Sequence, residues 1–95
     1  MNFLQLLDGA EVLAQTGNPE IKGVEYDSRQ VKPGDVFVAM RGESSDGNQY
    51  IDQAIAAGAV GVISDSVAQA RENIAWAQVA HGRRALARVS ANFYK

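Results

Sequence analysis

The fold is decided by one stretch of the sequence, KPGDVFVAM at residues 32–40. Pro33 presets its own backbone φ and Gly34 accepts a positive φ, so this pair predicts a type II turn. The unbroken apolar run that follows, residues 36–40, is typical of a strand that is covered on both faces of a sheet. We therefore predict the central strand of the domain at residues 36–40.

A loop, a helix and a second strand are predicted directly after this strand. Residues 41–47 are rich in Gly, Ser and Asp, a composition typical of a loop. Asp46 and Gln49 have the spacing of a helix capping box, and Gly58 marks the end of the helix that follows. Residues 60–64 return to a β-rich pattern. Because strands joined through a crossover helix run parallel, we expect the two strands of this unit to be parallel.

The rest of the chain is assigned from apolar spacing and turn formers. On the amino-terminal side we predict a short helix at residues 3–7 and two strands, at 11–15 and 21–28, that form a hairpin at a sheet edge. On the carboxyl-terminal side we predict a helical turn at 66–73, a strand at 76–80 and a helix from Gly82 to the chain end. The predicted fold class is α/β, a small single domain with a mixed β-sheet flanked by helices.

The composition limits the classes of function. The 95 residues suffice for one hydrophobic core. A net charge of -2 and a pI near 5.2 argue against binding of nucleic acid or of an anionic membrane surface. The lack of Cys and the single His exclude a disulfide framework and a zinc site built by this sequence alone. We therefore predict no metal site in this chain. Since no Lys or Arg precedes Lys22, the sequence lacks the basic start of a secretory signal, and no apolar run is long enough to span a bilayer. We predict a soluble, cytoplasmic protein.

Two polar loops are expected to meet at one edge of the sheet, residues 26–29 and residues 42–47. Ligands of open α/β sheets bind at the edge where the parallel strands end. The second loop offers hydroxyl groups, backbone N–H groups and a helix start, and Arg29 in the first offers a guanidinium that can hold phosphate oxygens in a fork. These residues favour a phosphorylated ligand.

The same residues also have a purely structural interpretation. Ser28 and Asp46 stand beside turns, where their side chains commonly cap backbone N–H groups. Asp27 is close enough in sequence to pair with Arg29 and fix the loop. On the residues alone, the ligand-binding and the structural interpretation both stay open.

The sequence resembles the N-terminal domain of the Mur ligases in an ordered pattern: D-S-R-x-V-x-P-G-D-x-F-x-A at 27–39, G-x-x-x-D-G at 42–47, and a helix ending in Gly58-Ala59. It is most similar to the subgroup that adds the third peptide residue, meso-diaminopimelate or L-lysine, to UDP-N-acetylmuramoyl-L-alanyl-D-glutamate. The subgroup that adds D-Ala-D-Ala shares much of this pattern. The resemblance spans about residues 24–64, with a weaker match at 82–87 and 93–94.

This resemblance implies that the domain binds the UDP end of the UDP-muramoyl-peptide. The implied substrate-binding residues are Tyr26, Ser28, Arg29, Glu43, Ser44 and Ser45, and the implied loop-shaping residues are Asp27, Asp46 and Gly47. Two features depart from the expected site. Asn48 stands where the family often has His, and the carboxylate of Glu43 would repel a diphosphate unless it turns away or takes a ribose hydroxyl.

The resemblance also implies a larger parent enzyme. Mur ligases form an acyl phosphate from ATP on a central domain with a P-loop, and the sequence contains no G-x-x-x-x-G-K-[ST] motif. We expect residues 1–95 to be the substrate-binding domain of an ATP-dependent amide-forming ligase in peptidoglycan synthesis. Its central ATP-binding domain, a partner of this domain, and its C-terminal domain are expected outside this chain. ATP and Mg²⁺ are implied for the parent, and no catalytic residue is expected here. A protein-interaction module without catalytic function is the alternative from another class.

Overall fold

The computed structural model describes residues 1–42, 45–67 and 70–94, and these residues form a five-stranded sheet between helices. The strands are β1 (Val12–Thr16), β2 (Gly23–Glu25), β3 (Asp35–Ala39), β4 (Gly61–Ser64) and β5 (Ala75–Val79). The helices are α1 (Phe3–Leu6), α2 (Ile51–Ala56) and α3 (Gly82–Phe93), and two short 3₁₀ turns lie at Ser28–Gln30 and Gly47–Tyr50. None of the helices in these ranges has the length and apolar character to cross a bilayer.

The sheet is mixed, as the sequence predicts. Its strand order is β1-β5-β4-β3-β2, and β2, β3, β4 and β5 run parallel while β1 pairs antiparallel with β5. The predicted parallel unit is present, since Val36 of β3 pairs with Gly61 of β4 and Ala39 with Ser64. The predicted α/β fold class is therefore confirmed.

Two hydrophobic cores lie on the two faces of the sheet, and β3 contributes to both. Because side chains alternate along a strand, Val36 and Val38 pack on the face covered by α1 and α3. Phe37 and Ala39 pack on the other face, which α2 covers. All five residues of β3 are buried, which explains why its sequence is an apolar run rather than an alternating pattern.

The predicted hairpin between the first two strands is wrong. β1 and β2 lie at opposite edges of the sheet, because β2 pairs in parallel with β3 and β1 pairs with β5. Residues 17–22 connect them along the amino ends of the parallel strands, where the Lys22 N–H donates to the Gly34 carbonyl at 2.9 Å. Six extended residues reach about 20 Å, which matches the roughly 19 Å of four strand spacings. The turn formers at 16–19 mark this crossing.

Four further local predictions are corrected. The middle strand is β4, with β3 beside it, and β2 is shorter than predicted because Ser28 already belongs to a 3₁₀ turn. The described part of the predicted helical turn at 66–73 contains bends and turns instead, and residues 68 and 69 lie outside the described ranges. The Asp46 carboxylate accepts from the Asn48 N–H, so the predicted capping box with Gln49 does not form.

A capping box that the sequence analysis did not assign begins α1. The Asn2 side chain accepts from the Gln5 N–H at 2.8 Å, and the Gln5 side chain accepts from the Asn2 N–H at 2.9 Å. Asn and Gln replace the Ser or Thr and Glu that are most often found in this motif. This helix places Phe3 and Leu6, both fully buried, against the sheet.

Gly58, just after α2, packs against the turn that precedes β3. Its φ is +112°, and the Gly34 N–H donates to its carbonyl at 3.0 Å. A Cβ at this position would lie 2.6 Å from the Pro33 Cα, a backbone atom that cannot easily move. Gly34 itself has a φ of +94°, as the predicted type II turn requires.

Gly58→Ala is expected to lower the free energy of unfolding by roughly 1–3 kcal/mol, because it combines a strained positive φ with a backbone clash. Urea denaturation followed by circular dichroism measures this change. Ala70→Gly, a one-carbon change at an exposed loop residue, serves as the control and should shift the midpoint little. Equal stability of the Gly58→Ala variant and the parent chain would contradict this account of the turn.

Candidate ligand-binding cleft

A cleft of about 440 Å³ lies at the edge of the sheet where β2 and β3 end. It brings together the two loops that the sequence places there, the one after β2 and the one after β3. Its described lining consists of Tyr26, Asp27, Ser28, Arg29, Phe37, Met40, Arg41, Gly42, Ser45, Gly47, Tyr50, Gln53 and Arg83. Of the predicted site residues, Asp46 does not line the cleft, and Glu43 and Ser44 lie outside the described residues.

The first loop is fixed by Asp27 and Arg29. The Asp27 carboxylate accepts from the Arg29 N–H at 3.0 Å and caps the 3₁₀ turn. It also accepts from the Arg29 guanidinium at two points, Nε at 3.1 Å and Nη2 at 2.9 Å. The hydrogen bond from the Arg29 side chain holds the pKa of Asp27 below its ordinary value, and the same contact raises the pKa of Arg29. The pairing that the structural interpretation expected is present.

Ser28 and Tyr26 differ in their exposure to solvent. Ser28 is 8% exposed, and its hydroxyl donates to the Gln53 side-chain oxygen on α2 over 3.4 Å. Asp27 rather than Ser28 caps the turn, so the Ser28 oxygen keeps its capacity to accept a hydrogen bond. Tyr26 is 62% exposed. The loop therefore presents a fixed hydroxyl inside the cleft and an open aromatic ring beside it.

The second loop leaves β3 and returns to it. The Gly42 N–H donates to the Ser45 carbonyl at 2.8 Å, and the Gly47 N–H donates to the Met40 carbonyl at 2.9 Å. A Cβ on Gly47 would lie 3.0 Å from the Met40 carbonyl oxygen and 3.1 Å from its nitrogen. A side chain at residue 47 would therefore press against the backbone at the end of β3, so Gly favours this close return of the loop.

Asn48 connects the second loop to the end of β4. Its side-chain NH₂ group donates to the carboxylates of Asp46, at 2.7 Å, and of Asp65, at 3.1 Å. Its side-chain oxygen accepts from the hydroxyl of Ser64, which is fully buried. Both N–H groups and the oxygen of the Asn48 side-chain amide thus form hydrogen bonds. The Asn48 hydrogen bonds also hold the pKa of Asp46 below its ordinary value.

From the sequence, Asn48 stands out only as a departure from the family pattern, and its hydrogen-bonding role is not predicted. The available signal was the pair Ser64-Asp65 at the end of a buried parallel strand, which predicts polar partners at the same sheet edge. Asp46 shapes the loop from outside the cleft, because its carboxylate faces Asn48.

Two arginines of the cleft were not assigned from sequence, Arg41 directly after β3 and Arg83 in the first turn of α3. Together with Arg29 they make three cations in the described lining, against Asp27 as its one acidic residue. The cleft therefore carries local positive charge in a chain whose net charge is -2. Within the described ranges, His, Asp and Glu residues form no cluster that could hold a metal ion. The arrangement suits an organic anion with an aromatic part.

Comparison with known protein families matches residues 20–94 to the family described as Mur ligase family, catalytic domain. A UDP-N-acetylmuramoyl-L-alanyl-D-glutamate--2,6-diaminopimelate ligase of Solibacter usitatus is 46% identical over 85 residues, 90% of this chain and 17% of that protein. A UDP-N-acetylmuramyl-tripeptide synthetase of Roseiflexus sp. is 47% identical over 78 residues, 81% of this chain and 15% of that protein. This chain thus spans less than a fifth of the length of either relative.

Solved structures give the same family. A crystal structure of MurF from Acinetobacter baumannii superposes with a TM-score of 0.70 at 29% identity, covering 94% of this chain and 20% of that one. MurF ligase from Thermotoga maritima, in complex with ADP, superposes with a TM-score of 0.61 at 30% identity, covering 75% and 16%. The predicted resemblance to the N-terminal domain of these ligases is confirmed, and the chain belongs to the Mur ligase family.

Proposed function

We propose that this chain holds the UDP end of a UDP-N-acetylmuramoyl-peptide for an ATP-dependent ligase of peptidoglycan synthesis. The observation that carries the proposal is the meeting of the two motif-bearing loops in one cleft whose described lining is rich in arginine. The names of the relatives from Solibacter usitatus and Roseiflexus sp. state ligation on a UDP-N-acetylmuramoyl substrate.

The proposal favours a parent enzyme that adds the third peptide residue, meso-diaminopimelate or L-lysine. The relatives at 46% and 47% identity carry names of third-residue ligases. The MurF structures, from ligases of the D-alanyl-D-alanyl type, share the fold at the lower identity of 29%. The D-Ala-D-Ala-adding subgroup is therefore the second choice.

In the proposed complex, the residues of this chain bind and orient the substrate. Tyr26 offers a ring face to the uracil or ribose, and the Ser28 oxygen accepts one hydrogen bond inside the cleft. Contacts to the non-reacting UDP end hold the distant D-glutamate carboxylate in place for reaction elsewhere in the parent.

ATP and Mg²⁺ are assigned by the proposal to the parent enzyme outside these 95 residues. The sequence has no P-loop to hold the nucleotide phosphates and the metal. When bound to the parent, ATP would supply the phosphoryl group that activates the carboxylate. The parent is proposed to work in the cytoplasm, with its central ATP-binding domain as the partner of this one.

Arg29 is proposed to act mainly through the shape of the first loop. Its guanidinium is held by both oxygens of Asp27, so its charge is already balanced inside the loop. A rigid loop keeps Ser28 and Tyr26 in fixed positions and lowers the entropy that is lost on binding.

The wild-type chain is expected to bind UDP and UDP-N-acetylmuramoyl-L-alanyl-D-glutamate weakly but measurably in calorimetric titration, because part of the contacts lie within it. Heats equal to those of dilution at millimolar ligand would contradict the proposal. That result would favour a module that docks a protein partner, which has no reason to bind a uridine nucleotide.

Ser28→Ala is expected to weaken UDP binding by roughly 0.5–1.5 kcal/mol, the usual net value of one hydrogen bond. Calorimetry measures the affinity, and circular dichroism shows that the fold is retained. Ser90→Ala on α3, outside the described lining of the cleft, is the matched control and should bind UDP like the parent chain. Unchanged UDP affinity in Ser28→Ala would remove this hydroxyl from the site.

Arg29→Gln is expected to raise the pKa of Asp27 toward its ordinary value of 3.8, since the Arg29 side chain is the main cause that lowers it. A lowered folded-state pKa stabilises the fold above the unfolded pKa, and this contribution is lost as the pH falls through the lowered value. As the pH falls into the acid range, the free energy of unfolding should therefore decrease less steeply in Arg29→Gln than in the parent chain. NMR titration of the Asp27 carboxyl carbon measures the pKa directly.

Arg84→Gln provides the control for this titration. Its guanidinium lies 3.9 Å from the Glu11 carboxylate and does not contact Asp27. The Asp27 titration should be unchanged in this variant. An equally unchanged titration in Arg29→Gln would show that the pairing does not persist in solution.

A further inference from the structure

The cleft needs cations that are free to bind a ligand, and Arg29 is poorly suited to this task. Both oxygens of Asp27 contact its guanidinium, at 3.1 and 2.9 Å. An arginine in a two-point contact with a carboxylate would have to give up those hydrogen bonds, or share them, to hold a phosphate. The sequence pattern indicates Arg29 as the residue that holds phosphate oxygens. Because its guanidinium is paired with Asp27, the other arginines of the cleft are better candidates for this task.

Arg41 and Arg83 line the same cleft from two different elements. Among the residues that the structure describes, neither guanidinium forms a salt bridge, whereas Arg29, Arg71 and Arg84 each do. Both side chains are exposed to solvent and so can move toward a ligand without first leaving a buried partner. Their charge is available for an anion in the cleft.

Gly82 explains how Arg83 reaches the cleft from the other end of the chain. A Cβ at Gly82 would lie 2.6 Å from the Met40 Cβ and 2.6 Å from an Asp65 carboxylate oxygen. The start of α3 can therefore lie directly against the ends of β3 and β4 only because residue 82 has no side chain. Arg83 is the next residue, and this approach places it beside the second loop.

The two described acidic residues near these arginines, Asp46 and Asp65, are occupied by other donors. Asp65 accepts from the Arg41 backbone N–H at 3.0 Å and from the Asn48 side chain at 3.1 Å. Asp46 accepts twice from Asn48, and the charge of Arg41 contributes to lowering its pKa. Asp46 thus offsets part of the Arg41 charge, and we take Arg83 as the stronger candidate.

We infer that Arg83, with Arg41 as a second cation, binds the diphosphate of the nucleotide that occupies this cleft. The inference rests on the proposed function and names the residues that supply its charge. Each guanidinium can donate in a fork to the oxygens of one phosphate, so two arginines on two different elements suit two linked phosphates. In this arrangement, Tyr26 and Ser28 on the first loop contact the nucleoside.

The test compares ligands with and without phosphate groups. The 95-residue chain is titrated with UDP and with uridine, and NMR chemical shifts give each affinity at low ionic strength. Arg83→Gln is expected to weaken UDP binding by roughly tenfold, the loss expected for a charge-assisted contact, and to leave uridine binding within about twofold. Arg41→Gln is expected to act in the same direction with a smaller loss. Arg83→Lys, which keeps the charge, is expected to recover part of the UDP affinity.

Arg84→Gln is the matched control, because Arg84 is the neighbouring residue of α3, lies outside the described lining and faces Glu11. It should bind UDP like the parent chain. Undiminished UDP affinity in Arg83→Gln, or an equal loss for UDP and uridine, would overturn the inference while the proposed function stands. Failure of the parent chain to bind UDP at millimolar concentration would instead overturn the proposed function itself.

Discussion

Parallel hydrogen bonding between β2, β3 and β4 is the constraint on which the cleft depends. Parallel neighbours bring the ends of successive strands to one edge, about 4.8 Å apart, so the segments that follow them must emerge side by side. The loop after β2 and the loop after β3 therefore share a cleft although they are separated along the chain by the turn at Pro33 and Gly34. The connection at residues 17–22 runs along the opposite edge and leaves this one open.

The polar side chains at this edge divide into two groups with different tasks. Asp27 and Asp46 accept hydrogen bonds within their own loops. Asn48 and Asp65 join the second loop to the end of β4, and together these hydrogen bonds fix the walls of the cleft. Arg41 and Arg83 form no salt bridge within the described residues and face the open space. A wall that is already satisfied internally needs little rearrangement when a ligand enters, which lowers the entropic cost of binding.

Local signals in the sequence were enough to predict the elements around β3. The turn at Pro33 and Gly34, the buried run of β3 and the glycine that ends α2 each depend on neighbours within a few residues. The partner of β1 was not predictable in this way, because its antiparallel pairing with β5 joins segments about 60 residues apart. Val12 pairs with Val79, and nothing in either short strand specifies the other. Sequence proximity wrongly favoured β2 as the partner.

Local sequence signals likewise predict some side-chain positions in the candidate site but not those that depend on distant contacts. Loop membership was enough to place Tyr26, Ser28, Arg29 and Ser45 at the cleft, since the sequence pattern assigns them to the two polar loops at 26–29 and 42–47. Arg83 could not be placed, because its position depends on the contact of Gly82 with Met40 and Asp65 rather than on any nearby motif.

The charge of the cleft illustrates why such long-range contacts matter for function. A chain of net charge -2 attracts no anion as a whole, and at physiological ionic strength the field of an exposed arginine extends only about 8 Å. Recognition of an anionic ligand must therefore come from cations assembled at short range. Arginines from the segment after β3 and from the start of α3 meet this requirement only after the sheet has formed and α3 has packed against it. Affinity for the proposed ligand is thus linked to folding, because the unfolded chain keeps these two charges far apart in sequence and in space.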